Sequence, residues 1–303
     1  MHGRLYNELS LEIAIMPQTP LLIKSGQKAS IDPALPDMQF VRTRRRLPNG
    51  EVSEVVYIPG SSLRGVVRAH AERLLRTLDE KHACYVVEAK KFCLRQKGLK
   101  EDKESANHPY KESCYACKLF GNTEIASRVQ MSDLYPTEDP LLRETRFGVA
   151  IDRITGAVAF GPFDLEVVTD ARFEGRIVLR NFTVGQLGLL GAALLDIADG
   201  LVALGHAKSR GLGRVCIEFT RAEFRFCKPP NDAILGVGEL ADQQLKQKYG
   251  LPDGDTLSVD GFQATQRDAL YYQARSNDKN QIRGWLSQAA PPASAHGTGL
   301  IVR

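Results

Sequence analysis

The chain has 303 residues, of which 43% are hydrophobic and 25% charged, and carries a formal net charge of +4. That is enough chain for an ordinary hydrophobic core without covalent staples. No run approaches 18 uninterrupted apolar residues and the opening MHGRLYNELS lacks the apolar centre of a signal peptide, so a membrane-spanning helix is not expected and the protein is read as cytoplasmic.

In chain order, residues 5–23 predict a first strand in which Leu9, Leu11, Ile13 and Ile15 alternate with polar or small residues. Residues 24–51 have no sustained period and are read as a long loop of the kind that usually carries function. Arg42, Arg44, Arg45 and Arg46 crowd its second half. Residues 52–58 predict a short strand, broken by Pro59-Gly60. Ser61 or Ser62 then caps a helix to about Asp79, with an apolar stripe of Leu63, Val67, His70 or Ala71, Leu74 and Leu78; Arg64, Arg68 and Arg76 lie off that stripe. Residues 80–118, rich in Lys, Glu and Cys, form an insertion without apolar periodicity. Residues 128–134 predict a strand, and 145–163 a projecting hairpin with a glycine at its tip. Residues 164–168 and 172–179 read as a second hairpin turning near Asp170. Thr183 with Gln186 makes a capping box, opening a helix to about Leu201 that is apolar on almost every side. A glycine-rich loop, 205–213, leads into a last strand, Val215–Phe226.

This order fits an α+β chain whose residues 1–227 form a split βαβ, ferredoxin-like (RRM-like) unit with insertions. Residues 228–303 are more polar, with one helical stretch at 239–248 and the single tryptophan, Trp285. They are read as an extension packed on that unit or on a neighbour.

Three segments carry chemistry. In Gly205-His206-Ala207-Lys208-Ser209-Arg210-Gly211-Leu212-Gly213, the glycines let backbone approach a ligand while Lys208 and Arg210 supply positive charge, a combination suited to a phosphate backbone. In Ile58-Pro59-Gly60-Ser61-Ser62-Leu63-Arg64-Gly65, hydroxyls and an arginine sit at a helix start, which attracts anions through its unpaired N–H groups. The third is Cys84, Cys93, Cys114 and Cys117, the last two forming a CxxC knuckle. Four thiolates suit a closed tetrahedral Zn²⁺ site, structural rather than catalytic, that would let residues 80–118 fold; His82 and His108 are possible substitutes for one cysteine. Cys216 and Cys227 are read as small hydrophobic residues.

IPGSSLRG followed much later by GHAKSRGLGRV resembles the RAMP superfamily of CRISPR proteins, and FGNTEIASRVQMSDLYP and RFGVAIDRITGAV extend the likeness. The set looks most like the repeating backbone subunit of type III effector complexes and covers residues 9 to 220. The resemblance implies a palm that holds the guide (crRNA) backbone and a thumb, here 145–163, that wedges into the guide–target duplex. It further implies a complementary target RNA and neighbouring effector subunits as partners. Under this reading Arg42, Ser61, Ser62, Arg64, Arg68, Arg153, His206, Lys208, Ser209 and Arg210 contact RNA, and base pairing rather than protein reads sequence.

Active members of that family cut target RNA with an aspartate in the loop before the PGSS helix. Two aspartates compete here. Asp37, before Phe40-Val41-Arg42, fits the family pattern better than Asp32, although residues 44–54 look like an inserted hairpin tip that lengthens the spacing. A carboxylate there would hold Mg²⁺ or another divalent cation, or accept a proton. Two alternatives stay open: a non-catalytic structural crRNA-binding subunit, and a precursor-crRNA-processing endoribonuclease. No histidine pair among His2, His70, His82, His108, His206 and His296 has a spacing that favours the latter.

Overall fold

The structure, a computed structural model, describes residues 3–26, 36–46, 50–85, 93, 109–137, 141–266 and 270–290. Thirteen strands are assigned among them. β1 (Asn7–Pro17) is the axis of the main sheet. It pairs antiparallel with β8 (Phe173–Arg180) on one side and β9 (Val215–Phe226) on the other. β4 (Val129–Met131) and β5 (Tyr135–Pro136) pair with β8. The order along the sheet is β12-β13-β9-β1-β8-β4, where β12 is Thr265–Gln266 and β13 is Tyr272–Ser276.

The alternation read in β1 sets the two faces of this sheet. Leu9, Leu11, Ile13 and Ile15 are each at most 2% exposed and lie beneath two helices, α1 (Gly60–Leu78) and α4 (Val184–Ala198). The opposite face of β1, β8 and β9 carries a lattice of ion pairs. Glu8 bonds Arg180 and Arg225, and Glu223 bonds Arg221, Arg225 and Arg275.

The buried row of α1 is Leu63, Val67, Ala71 and Leu75, one i, i+4 ridge. Leu74 and Leu78 are not part of it, and Leu78 is 40% exposed. The buried Glu72 lies on the flank where the cysteine insertion packs, bonded to Arg68 and Arg76. Nor do Ser61 or Ser62 cap this helix: Pro59 is the N-cap, and the first-turn N–H of Gly60 donates to the Asp133 carboxylate at 2.8 Å. Gly60 is required there, since a Cβ would lie 2.3 Å from the Met131 carbonyl oxygen.

α4 begins with the capping box as read: Thr183 accepts from Gln186 N, and the Gln186 side chain accepts from Thr183 N. It is buried along most of its length between α1, β9 and α7 (Lys279–Ala289). α7 approaches so closely that a Cβ on Gly188 would fall 2.0 Å from the Ala289 carbonyl oxygen.

Three further expectations need correction. The strand read at 5–23 ends at Pro17; Leu21 and Lys24 make only isolated bridges, to Val168 and Phe40. The hairpin read between 164–168 and 172–179 does not pair. β7 runs Val158–Asp170 and pairs with β6 (Leu142–Ile151), forming one long projecting hairpin, while β8 belongs to the main sheet. The chain turns at Ala171-Arg172 to change sheets. Lastly, the loop 24–51 contains β2 (Arg42–Arg46), paired with β3 (Val52–Val56). This is the hairpin anticipated around residues 44–54.

The segment after residue 228 joins the same core. β13 lengthens the main sheet beside β9, and Trp285 of α7 stacks edge-on with Phe224 and Phe262 at 5.9 and 5.3 Å. The helical stretch read at 239–248 is two short helices, α5 (Val237–Leu240) and α6 (Gln243–Tyr249), the second capped by Asp242. Between the two regions sits the buried Asp255 carboxylate. It accepts from Val184 N at 2.8 Å and Gly238 N at 2.9 Å, fastening the starts of α4 and α5 together. Burial raises its pKa to about 6.

Candidate nucleic-acid interface and metal centre

The glycine-rich loop folds as a 3₁₀ turn, Lys208–Arg210, between two left-handed residues, Ala207 and Gly211. Gly205 and Gly213 also have positive φ, and each leaves no room for a Cβ: the nearest atoms would be the Leu22 carbonyl oxygen at 2.3 Å and the Leu204 carbonyl oxygen at 2.0 Å. The glycines therefore clamp the loop against the chain running out of β1. His206 N donates to Leu22 O at 2.8 Å, and on the far side of that segment Ser25 N donates to Gln39 O at 3.0 Å. Residues 21–25 are thus the stitch between the glycine loop and the segment that holds Asp37.

Positive charge gathers at this stitch. Lys24 and Arg210 together with burial hold the His206 pKa below its ordinary value, burial being the larger cause. Burial and then Arg73 of α1 lower that of Lys208. Arg210 lies over the Phe163 ring at 5.6 Å, at the base of the β6–β7 hairpin. Among the described residues, none of Lys24, Arg73, Lys208 and Arg210 is ion-paired with a carboxylate, so their charge faces outward. Ser209 is exposed in the same turn.

Asp37 sits at the same hairpin base. Its Oδ2 accepts from Asp164 N at 3.2 Å, and the next residues pair with β7 through Met38 N to Asp164 O and Glu166 N to Met38 O, both 3.0 Å. The Asp37 side chain is exposed, and its second oxygen makes no hydrogen bond among the described residues. Asp32 lies outside the described residues. The structure thus brings Asp37, His206, Lys208, Ser209 and Arg210 around one hairpin base. Arg153 is apart from them, exposed at the far tip of that hairpin.

The remaining RNA candidates divide. Ser61 is exposed and Ser62 half-buried in the first turn of α1; from Ser61 an exposed i, i+4 row runs through Gly65 and Ala69 to Arg73, roughly 18 Å along the axis. The helix start and the glycine loop therefore occupy two ends of one exposed strip. Arg42, by contrast, is ion-paired with the buried Glu166, which also accepts from Phe40 N at 3.0 Å. Arg64 donates to the Phe120 carbonyl. Arg68 donates to Glu72 Oε1 at 2.8 Å and to Gly121 O at 3.2 Å, and Arg76 to Glu72 Oε2 at 3.0 Å and Cys84 O at 2.9 Å. These side chains bind protein: Arg42 pins the loop to the hairpin, and the three helix arginines hold the cysteine insertion on α1. Arg73 and Lys24, which do face the strip, are not among the RNA contacts read from the sequence. Arg73 had an available signal, because it follows Ser61 at i+12 on the row opposite the buried one.

The four cysteines meet as read. Cys114 is the N-cap of α3 (Tyr115–Phe120), Cys117 lies in its first turn, and Cys84 and Cys93 come from the preceding segment. Their sulfurs all lie within 4.8 Å of one another, with Cys84 and Cys117 3.7 Å apart. A tetrahedron with metal–sulfur bonds of about 2.3 Å has edges of roughly 3.8 Å, so the set could hold a metal such as zinc. Hydrogen bonds from Cys114 and Cys117 lower the Cys84 pKa to about 7, and hydrogen bonds with Cys114, Cys84 and Cys93 raise that of Cys117. The backbone N–H of Cys84 points to Cys114 Sγ at 3.4 Å, and Arg68 Nη2 lies 3.9 Å from Cys117 Sγ, donors that compensate thiolate charge. His82 is not among the clustered ligands, and His108 lies outside the described residues.

Compared with known proteins, residues 15–216 match the family model described as the RAMP superfamily. No curated protein matches the chain. No helix among the described residues is long and apolar enough to cross a membrane.

Proposed function

The chain belongs to the RAMP superfamily, which makes it a CRISPR-associated RNA-binding subunit, and from that premise we propose that it is a backbone subunit of a type III effector complex that holds crRNA and cleaves the complementary target RNA. The ββ hairpin β6–β7 serves as the thumb. The sequence β1-α1-β4-β8-α4-β9, with strand order β9-β1-β8-β4, serves as a ferredoxin-like palm. Other effector subunits, including further copies of this chain, are its protein partners.

The observation that carries this reading is the gathering at the thumb base: unpaired cations of the glycine loop, Arg73 on the α1 strip, and the exposed carboxylate of Asp37 tied to Asp164 N. The cations bind phosphates without reading bases. Cleavage follows from placing a carboxylate beside the hairpin that displaces a nucleotide. Displacement brings the 2′-oxygen in line with the adjacent phosphorus. That oxygen bonds to phosphorus as its proton passes to Asp37 or to water beside it, while the bond from phosphorus to the 5′-oxygen breaks and the leaving oxygen takes a proton from water. Asp37 would hold a divalent cation there, which would supply charge neutralisation at the reacting phosphate. Zn²⁺ held by the four cysteines would be structural, since four thiolates leave no open position.

The test is target-RNA cutting by the assembled complex with and without Mg²⁺. Asp37→Ala is expected to abolish cutting and leave RNA binding unchanged. Undiminished cutting by that variant would remove Asp37 from the chemistry. A non-catalytic crRNA-binding subunit is the second reading, favoured by the β2–β3 hairpin that follows the Asp37 segment directly; wild-type complexes that bind matched target and never cut it would establish that reading.

A further inference from the structure

An RNA-binding β-sheet of this layout commonly stacks bases on aromatic side chains of its open face. Here that face has none on its three central strands. β1 presents Glu8, Ser10, Glu12 and Ala14, and its neighbours present the arginines paired with Glu8 and Glu223. That face therefore offers no ring for base stacking.

One surface stack of rings meets the need. Tyr57, just before the α1 start, lies on Tyr135 of β5 with ring centroids 5.8 Å apart and planes 17° from parallel. Both tyrosines are half-buried, held by the bridge between Ile58 and Leu134. The exposed Arg45 of β2 lays its guanidinium over Tyr135 at 4.1 Å from the ring centre. Arg45 has no carboxylate partner among the described residues. Its neighbours Arg44 and Arg46 are also exposed on the hairpin, and the strip leading to Arg73 and Lys208 begins four residues after Tyr57.

We propose that Tyr57, Tyr135 and Arg45 form a base-stacking platform for a single unpaired nucleotide of the bound RNA, the base entering between the Arg45 guanidinium and the Tyr135 ring. The inference rests on the RNA-binding reading above and adds a subsite to it. Tyr57 backs the receiving ring and keeps it flat. Arg45 rides on an exposed two-stranded hairpin and needs to lift by roughly one ring thickness, about 3 Å, to make a tyrosine–base–guanidinium sandwich. Such a platform accepts any base, because every base offers a π-face. The nearby arginines would hold the flanking phosphates.

The experiment measures binding of the full chain to a short oligoadenylate RNA and to an abasic ribose-phosphate strand of the same length, with one 2-aminopurine in the former as a stacking reporter. Wild type is expected to bind the base-bearing strand roughly tenfold more tightly and to quench the reporter. Tyr135→Ala should erase that preference while leaving affinity for the abasic strand unchanged; Tyr135→Phe should keep it. Arg45→Ala, at an exposed position, should reduce the preference and the quench with the melting temperature unaltered, which covers the case of Tyr135→Ala failing to fold. A preference that survives in folded Tyr135→Ala or in Arg45→Ala overturns the platform. Wild type that binds both strands equally overturns the platform alone, whereas failure to bind either strand overturns the RNA-binding reading with it.

Discussion

Helix α1 carries two populations of arginine within four turns, and they do opposite things. Arg64, Arg68 and Arg76 point to the cysteine insertion, where two of them share the buried Glu72 and all three meet backbone carbonyls. Arg73, one residue from Glu72, meets neither and instead sits beside Lys208. The difference teaches that helical phase alone does not assign an arginine to nucleic acid. A buried carboxylate at i+4 or i−4 and unpaired carbonyls across the groove convert a basic row into mortar between two pieces of protein.

The largest effect expected on this contrast comes from the metal ligands. Cys117→Ser should lower bound Zn²⁺, measured by elemental analysis, from about one per chain to near none, and chelation of wild type should expose residues 80–118 to protease. A chain that purifies without zinc and resists protease equally would break the link between the thiolate cluster and the three arginines. Next, Arg68→Ala should destabilise the fold by about 2 kcal/mol, because it removes one of the two arginines bonded to the buried Glu72, Arg76 keeping the other oxygen, while folded variant binds RNA as wild type does; denaturant melts and binding isotherms check the two halves. The mirror experiment is Lys208→Ala with Arg210→Ala. It should leave the melt in place and reduce the slope of log affinity against log salt by about 1.4, at roughly 0.7 per lost phosphate contact on single strands. If Arg68→Ala flattened the salt slope and the double variant did not, the assignment of the two arginine populations would be reversed.

The smallest effect concerns His206. Burial and its cationic neighbours depress its pKa in the free protein, and a phosphate nearby would raise it again. The bound state then takes up a proton, so RNA affinity should rise modestly as pH falls from 7 toward 5.5. His206→Gln should flatten that profile; an unchanged profile would place His206 away from phosphate.

Local rules were legible in the sequence and long-range partners were not. Thr183 with Gln186, the left-handed glycines of residues 205–213, the boundaries of β9 and the meeting of four cysteines all follow from side-chain chemistry acting within a few residues or from a ligand set that has one geometry. The start of α1 was misread at Ser61 because a serine cap is local, whereas the donor of Gly60 is answered by Asp133, 73 residues on. β7 was paired with the wrong strand because a turn at Asp170 looks the same whether the chain folds back or crosses to another sheet. In the candidate site, the glycine loop was legible from its own residues, while Asp37 is a candidate that only the motif resemblance supplies. Lys24 and Arg73 could not be told from the other cations as RNA contacts, since their role depends on which cations lack a carboxylate, and only the assembled fold reveals that.

β13 has a consequence for biogenesis. Until Tyr272–Ser276 has emerged from the ribosome, β9 is an unpaired sheet edge, and Phe224 and Phe226 lack the cover of Phe262 and Trp285. A nascent or prematurely terminated chain ending near residue 227 therefore presents a sticky strand flanked by bare aromatic rings, the profile of a chaperone client or an aggregation seed. β13, Phe262 and Trp285 thus cover a strand edge and a ring cluster that the preceding chain leaves open.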